Sequence, residues 1–340
     1  MQKVIIILDG LSGDKALDLA KTPNLNFFAK NSKCGLMYPI RNIAPESGEA
    51  QFSILGYNLK DYPGRGPIEA LGINYKIKNE TALRCNFADF KNNKLLNTRS
   101  PLPSKNLIKK INKIDKDIKI IPTIGYRAVM IIKNISPNIK NTHPGYIKYK
   151  NISKAVIPKM EKTKSNNKKI DNFIKKLEKI LKNKTILIRG AGNKLPKLKK
   201  LKNWIMMGDM SIEIGLGRLL GMKILQKKQI INQILNSKKN VYIQIKGPDS
   251  YAHKKDLKGK IKAIEKIDKL LKPLTKIENK IICITADHST SSNLGIHTKD
   301  PVPVLIYNKG KDNIKKFSVN ECKKGSLGSF ESKDLMKKLL

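Results

Sequence analysis

The stretch KVIIILDG at residues 3–10 places five consecutive aliphatic side chains directly before an acid and a glycine. Two later stretches are also mainly apolar and rich in isoleucine, VYIQIKG at 241–247 and KIICITA at 280–286. Apolar runs of this length, rich in β-branched residues and separated by amphipathic stretches, are typical of parallel strands that helices cover on both faces. The sequence therefore predicts an α/β fold built on a mostly parallel sheet.

Acids and histidines follow the ends of these predicted strands. Only four histidines occur in 340 residues, and three of them lie beyond residue 250, near aspartates. The side chains concerned are Asp249, His253, Asp287, His288 and His297. Imidazole and carboxylate together suit divalent ions such as Mn²⁺, Zn²⁺ or Co²⁺, and these ligands exceed what one ion with open positions takes from protein. Because the carboxyl ends of parallel strands meet at one edge, Asp9 is expected to join them. The pattern predicts a two-metal site, although each histidine taken singly is also explained as a core or surface residue.

Ser47, in the stretch APESGEAQFSILGY at 44–57, is the candidate nucleophile. Two-metal sites usually serve phosphoryl or related transfer, which needs an attacking oxygen. Pro45 and Gly48 flank the serine and favour an exposed hydroxyl in a tight turn before a predicted helix. A bound metal and a helix N-terminus both make a serine easier to deprotonate. The alternative is that Ser47 is only the N-cap of that helix.

Arginine is rare in this chain, with seven arginines against 62 lysines. Where lysine replaces arginine freely, the remaining arginines are enriched at sites that need a planar, bidentate fork for carboxylate or phosphate. The five that lie between residues 65 and 189 are Arg65, Arg84, Arg99, Arg127 and Arg189. They are candidate anion ligands, and a structural salt bridge or a helix cap is the alternative for each. Arg189 is the best candidate, because the glycines of IRGAG let backbone approach an anion.

The formal net charge of +42 does not by itself indicate a nucleic-acid partner. Nucleic-acid-binding surfaces cluster basic residues and interleave them with aromatic side chains, whereas lysine here is spread along the chain and aromatics are 6% of residues. No apolar run approaches the roughly 18 residues of a membrane span, and we expect no signal peptide. The four cysteines form no close pair. These features predict a cytoplasmic protein with reduced thiols and no membrane partner, and they leave its oligomeric state open.

Several short segments of the sequence resemble those of a known protein family. They are ILDG at 7–10, KTPNL at 21–25, SILGY at 53–57, GRGPIEALG at 64–72, RCNFA at 84–88, IRGAG at 188–192, GRLLGM at 217–222, DSYAHKKDLKGKIKAIEKID at 249–268, and ADHST through HTKDPVP at 286–303. In this order the chain resembles the archaeal-type 2,3-bisphosphoglycerate-independent phosphoglycerate mutases, which belong to the alkaline phosphatase superfamily. The segments span nearly the whole chain.

The resemblance implies an alkaline-phosphatase-like sheet sandwiched by helices, with a smaller inserted α/β domain. It implies one divalent ion on Asp249, His253 and His297, and another on Asp9, Ser47, Asp287 and His288. Mn²⁺ is the expected ion, with Mg²⁺, Zn²⁺ or Co²⁺ as alternatives. Ser47 would take the phosphoryl group of 3-phosphoglycerate and return it to the 2-hydroxyl, as a step of glycolysis and gluconeogenesis. Asn86 and the five arginines would bind the phosphoglycerate.

The positions of the metal-ligand candidates predict two domains. They fall only near the two ends of the chain, which predicts a discontinuous core of residues 1–70 and 203–340. The intervening residues 71–202 form a predicted insert that binds substrate. It is entered through YPGRGPIEALG and left through LPKLKKLKN.

Two stretches depart from the family pattern. Around the nucleophile the family reads closer to GSDTAH, so Gln51 of ESGEAQ stands where a histidine is common. At 141–145 the family tends to have SDTDPH, whereas this chain has NTHPG. His143 is interpreted either as a substrate contact or as part of a surface turn. The mutase is the leading hypothesis; a metal-dependent phosphohydrolase or another phosphomutase on the same core is the second, and a nucleic-acid-binding protein with a decayed metal site the third.

Overall fold

The computed structural model describes residues 1–340, which form two compact units. Unit 1 comprises Met1–Leu59, Lys200–Asp209 and Gly221–Leu340, and unit 2 comprises Lys60–Lys199 and Met210–Leu220. Unit 2 therefore begins at Lys60, before the predicted insert boundary at residue 71. It also contains Met210–Leu220, which lies within the predicted core of residues 203–340. The functional roles of core and insert stay predictions.

Seventeen strands follow one another along the chain. They are β1 (Gln2–Leu8), β2 (Ser32–Tyr38), β3 (Thr81–Lys91), β4 (Lys94–Asn97), β5 (Ile118–Pro122), β6 (Arg127–Ile132), β7 (Tyr146–Tyr149), β8 (Ile152–Ala155), β9 (Lys184–Gly192), β10 (Trp204–Met207), β11 (Lys223–Leu225), β12 (Asn240–Ile245), β13 (Lys280–Thr285), β14 (Ser289–Ser291), β15 (Ile296–Thr298), β16 (Val302–Tyr307) and β17 (Gly328–Glu331).

Twelve α-helices and three 3-10 helices connect the strands. The α-helices are α1 (Ala16–Leu19), α2 (Pro23–Lys30), α3 (Ser47–Ile54), α4 (Arg65–Gly72), α5 (Lys105–Ile111), α6 (Lys168–Leu181), α7 (Ser211–Leu219), α8 (Ile230–Asn236), α9 (Pro248–Ala252), α10 (Leu257–Leu271), α11 (Val319–Cys322) and α12 (Leu335–Lys338). The 3-10 helices are Leu59–Asp61, Lys272–Lys276 and Ser332–Asp334.

Unit 1 is built on an eight-stranded sheet with the order β11-β10-β12-β1-β13-β16-β2-β17. Only β16 runs antiparallel to its neighbours, and all other adjacent strands are parallel. The three strands quoted from the sequence lie at its centre, where Val4 of β1 pairs with both Val241 and Ile282. The side chains from Val4 to Leu8 are fully buried, as expected of a central parallel strand. The predicted α/β fold with a mostly parallel sheet is therefore confirmed.

Unit 2 contains an antiparallel sheet in which β3 pairs with β4, β6 and β9, and β5 pairs with β6. Successive side chains of a strand point to opposite faces. Leu83, Cys85 and Phe87 of β3 therefore enter one apolar core, together with residues of α5 and α6. The intervening Arg84 and Asn86 project to the other face of the sheet.

A close helix contact explains why the 210–220 segment belongs to unit 2. Helix α4 packs against α7, and a Cβ on Gly72 would overlap the carbonyl oxygen of Ser211. Only glycine permits this approach of the two backbones. The stretch through which the predicted insert is entered, YPGRGPIEALG, therefore contains the helix α4.

No helix of the structure combines the length and the apolar character that crossing a membrane requires. All four cysteines are buried, and none forms a disulfide bond: Cys34, Cys85, Cys283 and Cys322.

Candidate active site

Three of the predicted metal-binding acids lie at neighbouring strand ends in unit 1. Asp9 follows β1 directly, and Asp287 comes just after β13. Asp249 lies in α9, the short helix after β12, and its backbone N–H donates to the Asp9 carbonyl at 3.0 Å. Gly10 permits this approach, because it has a φ of +65° and a Cβ there would lie 2.8 Å from the Asp249 Cβ. The sheet thus joins acids from the two ends of the chain.

Asp249, His253 and His297 form the first cluster, with ligand atoms within 4.8 Å of one another. The two histidine Nε2 atoms are 3.2 Å apart, and each lies 3.4 Å from Asp249 Oδ1. Their Nδ1 atoms face the carbonyl oxygens of Gly295 at 2.8 Å and Pro45 at 2.7 Å. Because a carbonyl only accepts hydrogen bonds, Nδ1 carries a proton in both rings, so in the neutral form of each ring the lone pair is on Nε2, the atom that faces Asp249. Such opposed lone pairs fit a shared cation.

The second cluster surrounds His288 Nε2, which lies 3.1 Å from Ser47 Oγ, 3.4 Å from Asp9 Oδ1 and 3.5 Å from Asp287 Oδ2. Asp9 Oδ1 is buried and accepts no hydrogen bond. Ligand atoms of Asp9, Asp249 and His288 lie within 4.8 Å of one another. Asp249 is therefore close to both clusters, whereas the family resemblance assigns it to one ion.

The electrostatics of the second cluster also fit a cation. Burial raises the pKa of Asp9 against the opposing charge of Lys246, and the Asp249 carboxylate adds to the rise. Burial and the neighbouring Asp9 hold the pKa of Asp287 well above its usual value. Burial keeps the pKa of His288 well below its usual value, so the ring is neutral at pH 7. A divalent ion stabilises carboxylates and neutral imidazoles in such surroundings.

Ser47 is the first residue of α3, and its hydroxyl faces His288. Glu46 occupies the N-cap position, and the helix has no side-chain capping hydrogen bond. The N-cap interpretation of Ser47 is therefore wrong, and the role of nucleophile stays a prediction.

The predicted anion ligands lie in unit 2, most of them on one face of its sheet. Arg84 of β3 is opposite Arg189 of β9, and Asn86 is opposite Arg127 of β6. Directly opposed residues of antiparallel strands project to the same face. Of the five arginines, Arg65, Arg84 and Arg189 are buried, Arg127 is partly buried and Arg99 is exposed.

Glu69 of α4 is a fully buried carboxylate to which two of these arginines donate. Arg65 Nε lies 2.7 Å and Arg84 Nη1 2.5 Å from Glu69 Oε1, while Ser211 Oγ donates to Oε2 at 3.0 Å. Burial alone would raise the pKa of Glu69, but the charges of Arg84 and Arg65 lower it to about 2. The ion pair fixes the planes of both guanidinium groups, which a bidentate anion site also requires.

Aromatic rings lie against the remaining arginines. The guanidinium carbons of Arg127 and Arg99 are 4.3 Å and 5.8 Å from the centre of the Tyr126 ring, and that of Arg189 is 4.3 Å from the Tyr146 ring. These contacts orient the side chains without neutralising their charge.

His143 lies beside this face of the sheet in unit 2. Its ring is buried, with Nε2 3.3 Å from Asn86 Nδ2, and it packs edge-on against Tyr146. His143 does begin a turn, because the Tyr146 N–H donates to its carbonyl at 3.1 Å, but its side chain is buried rather than on the surface. A substrate contact by His143 stays a prediction.

Comparisons with known proteins identify the family of this chain. The family model for 2,3-bisphosphoglycerate-independent phosphoglycerate mutase matches residues 29–186. A relative from Methanocaldococcus jannaschii, named 2,3-bisphosphoglycerate-independent phosphoglycerate mutase 2, is 31% identical over 96% of this chain and 90% of its own length. A probable 2,3-bisphosphoglycerate-independent phosphoglycerate mutase from Thermotoga petrophila is 30% identical over 98% and 92%. The chain belongs to this mutase family.

Two solved structures share the fold of this phosphoglycerate mutase family member. The PH0037 protein of Pyrococcus horikoshii superposes with a TM-score of 0.79 at 23% identity, covering 99% of this chain and 96% of its own. The cofactor-independent phosphoglycerate mutase of Thermoplasma acidophilum gives 0.60 at 23% identity, covering 100% and 99%. The predicted family is confirmed, and with it the enzyme class, an isomerase.

Sequence reasoning missed two residues that contact the predicted metal ligands in this member of the mutase family. Gln244 Nε2 donates to Asp287 Oδ2 at 2.6 Å, and Lys246 Nζ lies 2.9 Å from Asp9 Oδ2. Both belong to the quoted stretch VYIQIKG. A glutamine in an otherwise apolar buried strand was the available signal, because a buried amide needs hydrogen-bond partners.

Proposed function

We propose that this chain interconverts 3-phosphoglycerate and 2-phosphoglycerate without bisphosphoglycerate, through a phosphoserine at Ser47. The observation that carries the proposal is the position of Ser47 Oγ, 3.1 Å from His288 Nε2 within a cluster of buried carboxylates and imidazoles. The names of the two relatives support the reaction. We place the reaction in glycolysis and gluconeogenesis and the protein in the cytoplasm, to which four free, buried cysteines are suited.

Two divalent ions, Mn²⁺ in the first place, are part of the proposal. Asp249, His253 and His297 would hold one, and Asp9, Ser47, Asp287 and His288 the other. When bound, such ions neutralise charge on phosphoryl oxygens and lower the pKa of a nearby hydroxyl.

The proposed transfer uses Ser47 twice. In the first step the Ser47 Oγ–phosphorus bond forms while the bond from phosphorus to O3 of 3-phosphoglycerate breaks. In the second step O2 of the glycerate bonds to phosphorus and Ser47 Oγ leaves. Ser47 loses its proton and O3 gains one in the first step, and the 2-hydroxyl loses its proton and Ser47 regains one in the second, so atoms balance with no water consumed and no phosphate released.

The arginines and Asn86 of unit 2 are proposed to bind the phosphoglycerate. This substrate carries both a carboxylate and a phosphate, and each suits a bidentate guanidinium. Arg84, Arg189 and Arg127 project from one face of three adjacent strands, and Glu69 holds Arg84 in place. The substrate is therefore expected to contact several guanidinium groups of this face together.

The test measures formation of 2-phosphoglycerate from 3-phosphoglycerate by the purified full chain with Mn²⁺ and no bisphosphoglycerate. Inorganic phosphate is followed in the same tube, with EDTA as the metal control. Isomer formation that EDTA abolishes, with little phosphate release, is expected. Phosphate release without isomer would instead indicate a phosphohydrolase.

The nucleophile is tested separately with Ser47→Ala and the matched control Ser326→Ala. Ser326 is exposed and belongs to the same unit. The Ser47 variant is expected to lose turnover and the acid-stable phosphoserine that mass spectrometry detects in the quenched wild type. Full turnover by Ser47→Ala would rule out the phosphoserine route.

A further inference from the structure

Thr290 of β14 makes contacts that the proposed reaction does not use. Its side chain is fully buried, and its Oγ1 lies 2.9 Å from Asp249 Oδ1 and 3.0 Å from His288 Nδ1. Asp249 belongs to the first cluster of metal ligands and His288 to the second. One hydroxyl therefore contacts a ligand of each proposed ion.

The direction of these two hydrogen bonds follows from the groups involved. A carboxylate only accepts, so the single hydroxyl proton of Thr290 goes to Asp249. The hydroxyl oxygen must then accept from His288, which places the imidazole proton on Nδ1. The lone pair of His288 consequently lies on Nε2, the atom that faces Ser47 Oγ and Asp9 Oδ1. The ligating tautomer of His288 is thus set by Thr290.

We propose that Thr290 is a positioning residue shared by the two metal sites, and that this sharing makes the sites depend on each other. The proposal rests on the proposed function only in that the two clusters bind divalent ions. It assigns to one hydroxyl both the orientation of Asp249 and the tautomer of His288.

The backbone of Thr290 is held in place by Lys260 of α10. This lysine is fully buried, and its Nζ donates to Thr290 O at 2.7 Å, to Ser12 O at 3.0 Å and to Asp14 Oδ2 at 3.1 Å. Thr290 N–H in turn donates to Ser12 O at 2.9 Å. Thr290 is therefore fixed to the loop that follows Asp9, and its hydroxyl has little freedom to move.

Two substitutions of Thr290 distinguish the effect of its hydroxyl group from the effect of its side-chain shape. Thr290→Val keeps the β-branched form that suits a buried strand but can neither donate to Asp249 nor accept from His288. Thr290→Ser keeps the hydroxyl and loses only a methyl group. Loss of such a supporting hydrogen bond typically lowers metal affinity about 10- to 100-fold.

The experiment titrates metal-free full-length protein with Mn²⁺ by calorimetry, and follows bound Mn²⁺ by electron paramagnetic resonance. Wild type is expected to bind two ions. Thr290→Val is expected to lose about 10- to 100-fold in affinity for both, and Thr290→Ser to retain most of it. Thr275→Val is the matched control, because its hydroxyl bonds only the Lys272 carbonyl of its own 3-10 helix.

The outcomes separate the two proposals. If Thr290→Val binds two ions as tightly as wild type, or loses affinity for one ion alone, the shared role of Thr290 is overturned. Either result would leave the proposal of two metal sites unaffected. A wild type that binds no Mn²⁺ would overturn the metal proposal itself, and this inference with it. If circular dichroism shows that the valine variant is unfolded, Thr290→Ala is titrated instead, with the same expected losses and the same overturning result.

Discussion

Glu69 offers the sharpest test of the energetics in unit 2. The perturbation is Glu69→Gln, which removes the charge that Arg65 and Arg84 share while keeping the shape of the side chain. Both guanidinium groups then stay buried without their common counter-charge. Leaving one partner of a buried ion pair behind is strongly destabilising.

The pKa of Glu69 gives the magnitude. Its value of about 2 in the folded chain compares with a usual value of 4.5. At about 1.4 kcal/mol per pKa unit, the ionised carboxylate stabilises the fold by about 3 kcal/mol near neutral pH. Because the folded-state pKa is the lower one, this contribution is complete above about pH 5 and is lost as the pH falls from 4.5 toward 2. About half of it is gone by about pH 3.

The assay is urea unfolding of wild type and Glu69→Gln at a series of pH values, followed by far-UV circular dichroism. The wild type is expected to be more stable by about 3 kcal/mol at pH 7, and the gap is expected to narrow below about pH 5. Glu161→Gln in the same unit is the control, because Glu161 is exposed. A gap of similar size at pH 7 and pH 3 would refute the reasoning, since it would assign the loss to packing rather than to charge.

Three further predictions concern metal binding, the buried Lys260 that holds Thr290 in place, and substrate binding. Mn²⁺ is expected to raise the melting temperature of EDTA-treated protein in a concentration-dependent way, because binding relieves the opposed lone pairs of His253 and His297; a melting curve indifferent to Mn²⁺ would contradict this. Lys260→Met is expected to lower the free energy of unfolding of the metal-free chain by about 3 kcal/mol in urea unfolding. The reason is that the carbonyl groups of Ser12 and Thr290 and the carboxylate of Asp14 lose their hydrogen-bond donor. Lys262→Met, an exposed change on the same helix, should be neutral. Arg84→Lys is expected to lower kcat/KM for 3-phosphoglycerate by about tenfold or more, because an ammonium cannot make the bidentate fork, and unchanged steady-state kinetics would remove Arg84 from the substrate site.

The central sheet and the acids at its edge could be predicted because their signals are local. A run such as KVIIIL identifies a buried strand without reference to the rest of the chain, and the direction of the strands then fixes where Asp9, Asp249 and Asp287 meet. The helix at GRGPIEALG could not be predicted this way. Its glycines and proline are uncommon inside helices, and only the close approach of Ser211 to Gly72 shows why a helix has glycine at that position.

The supporting residues escaped prediction because their partners are distant in sequence. Glu69 bonds Ser211, 142 positions away, and Thr290 bonds Asp249, 41 positions away. Nothing near Glu69 in the sequence distinguishes it from a glutamate on a solvated helix face. The rarity of arginine drew attention to side chains of unit 2, three of which project from one face of its sheet, but it did not reveal that one carboxylate fixes two of the five arginines.

Gln51, the departure from the family pattern, contacts a residue that supports a predicted metal ligand and is not itself one of the predicted ligands. Gln51 Nε2 donates to Gln244 Oε1 at 3.1 Å, and Gln244 Nε2 donates to Asp287 Oδ2 at 2.6 Å. Lys246 Nζ also donates to Gln244 Oε1, at 3.0 Å, so the amide of Gln244 has one possible orientation. Gln51 therefore reaches Asp287 through Gln244. A chain that has glutamine where its family often has histidine thus keeps all seven predicted ligand side chains, which is why the difference at this position does not argue against the proposed chemistry.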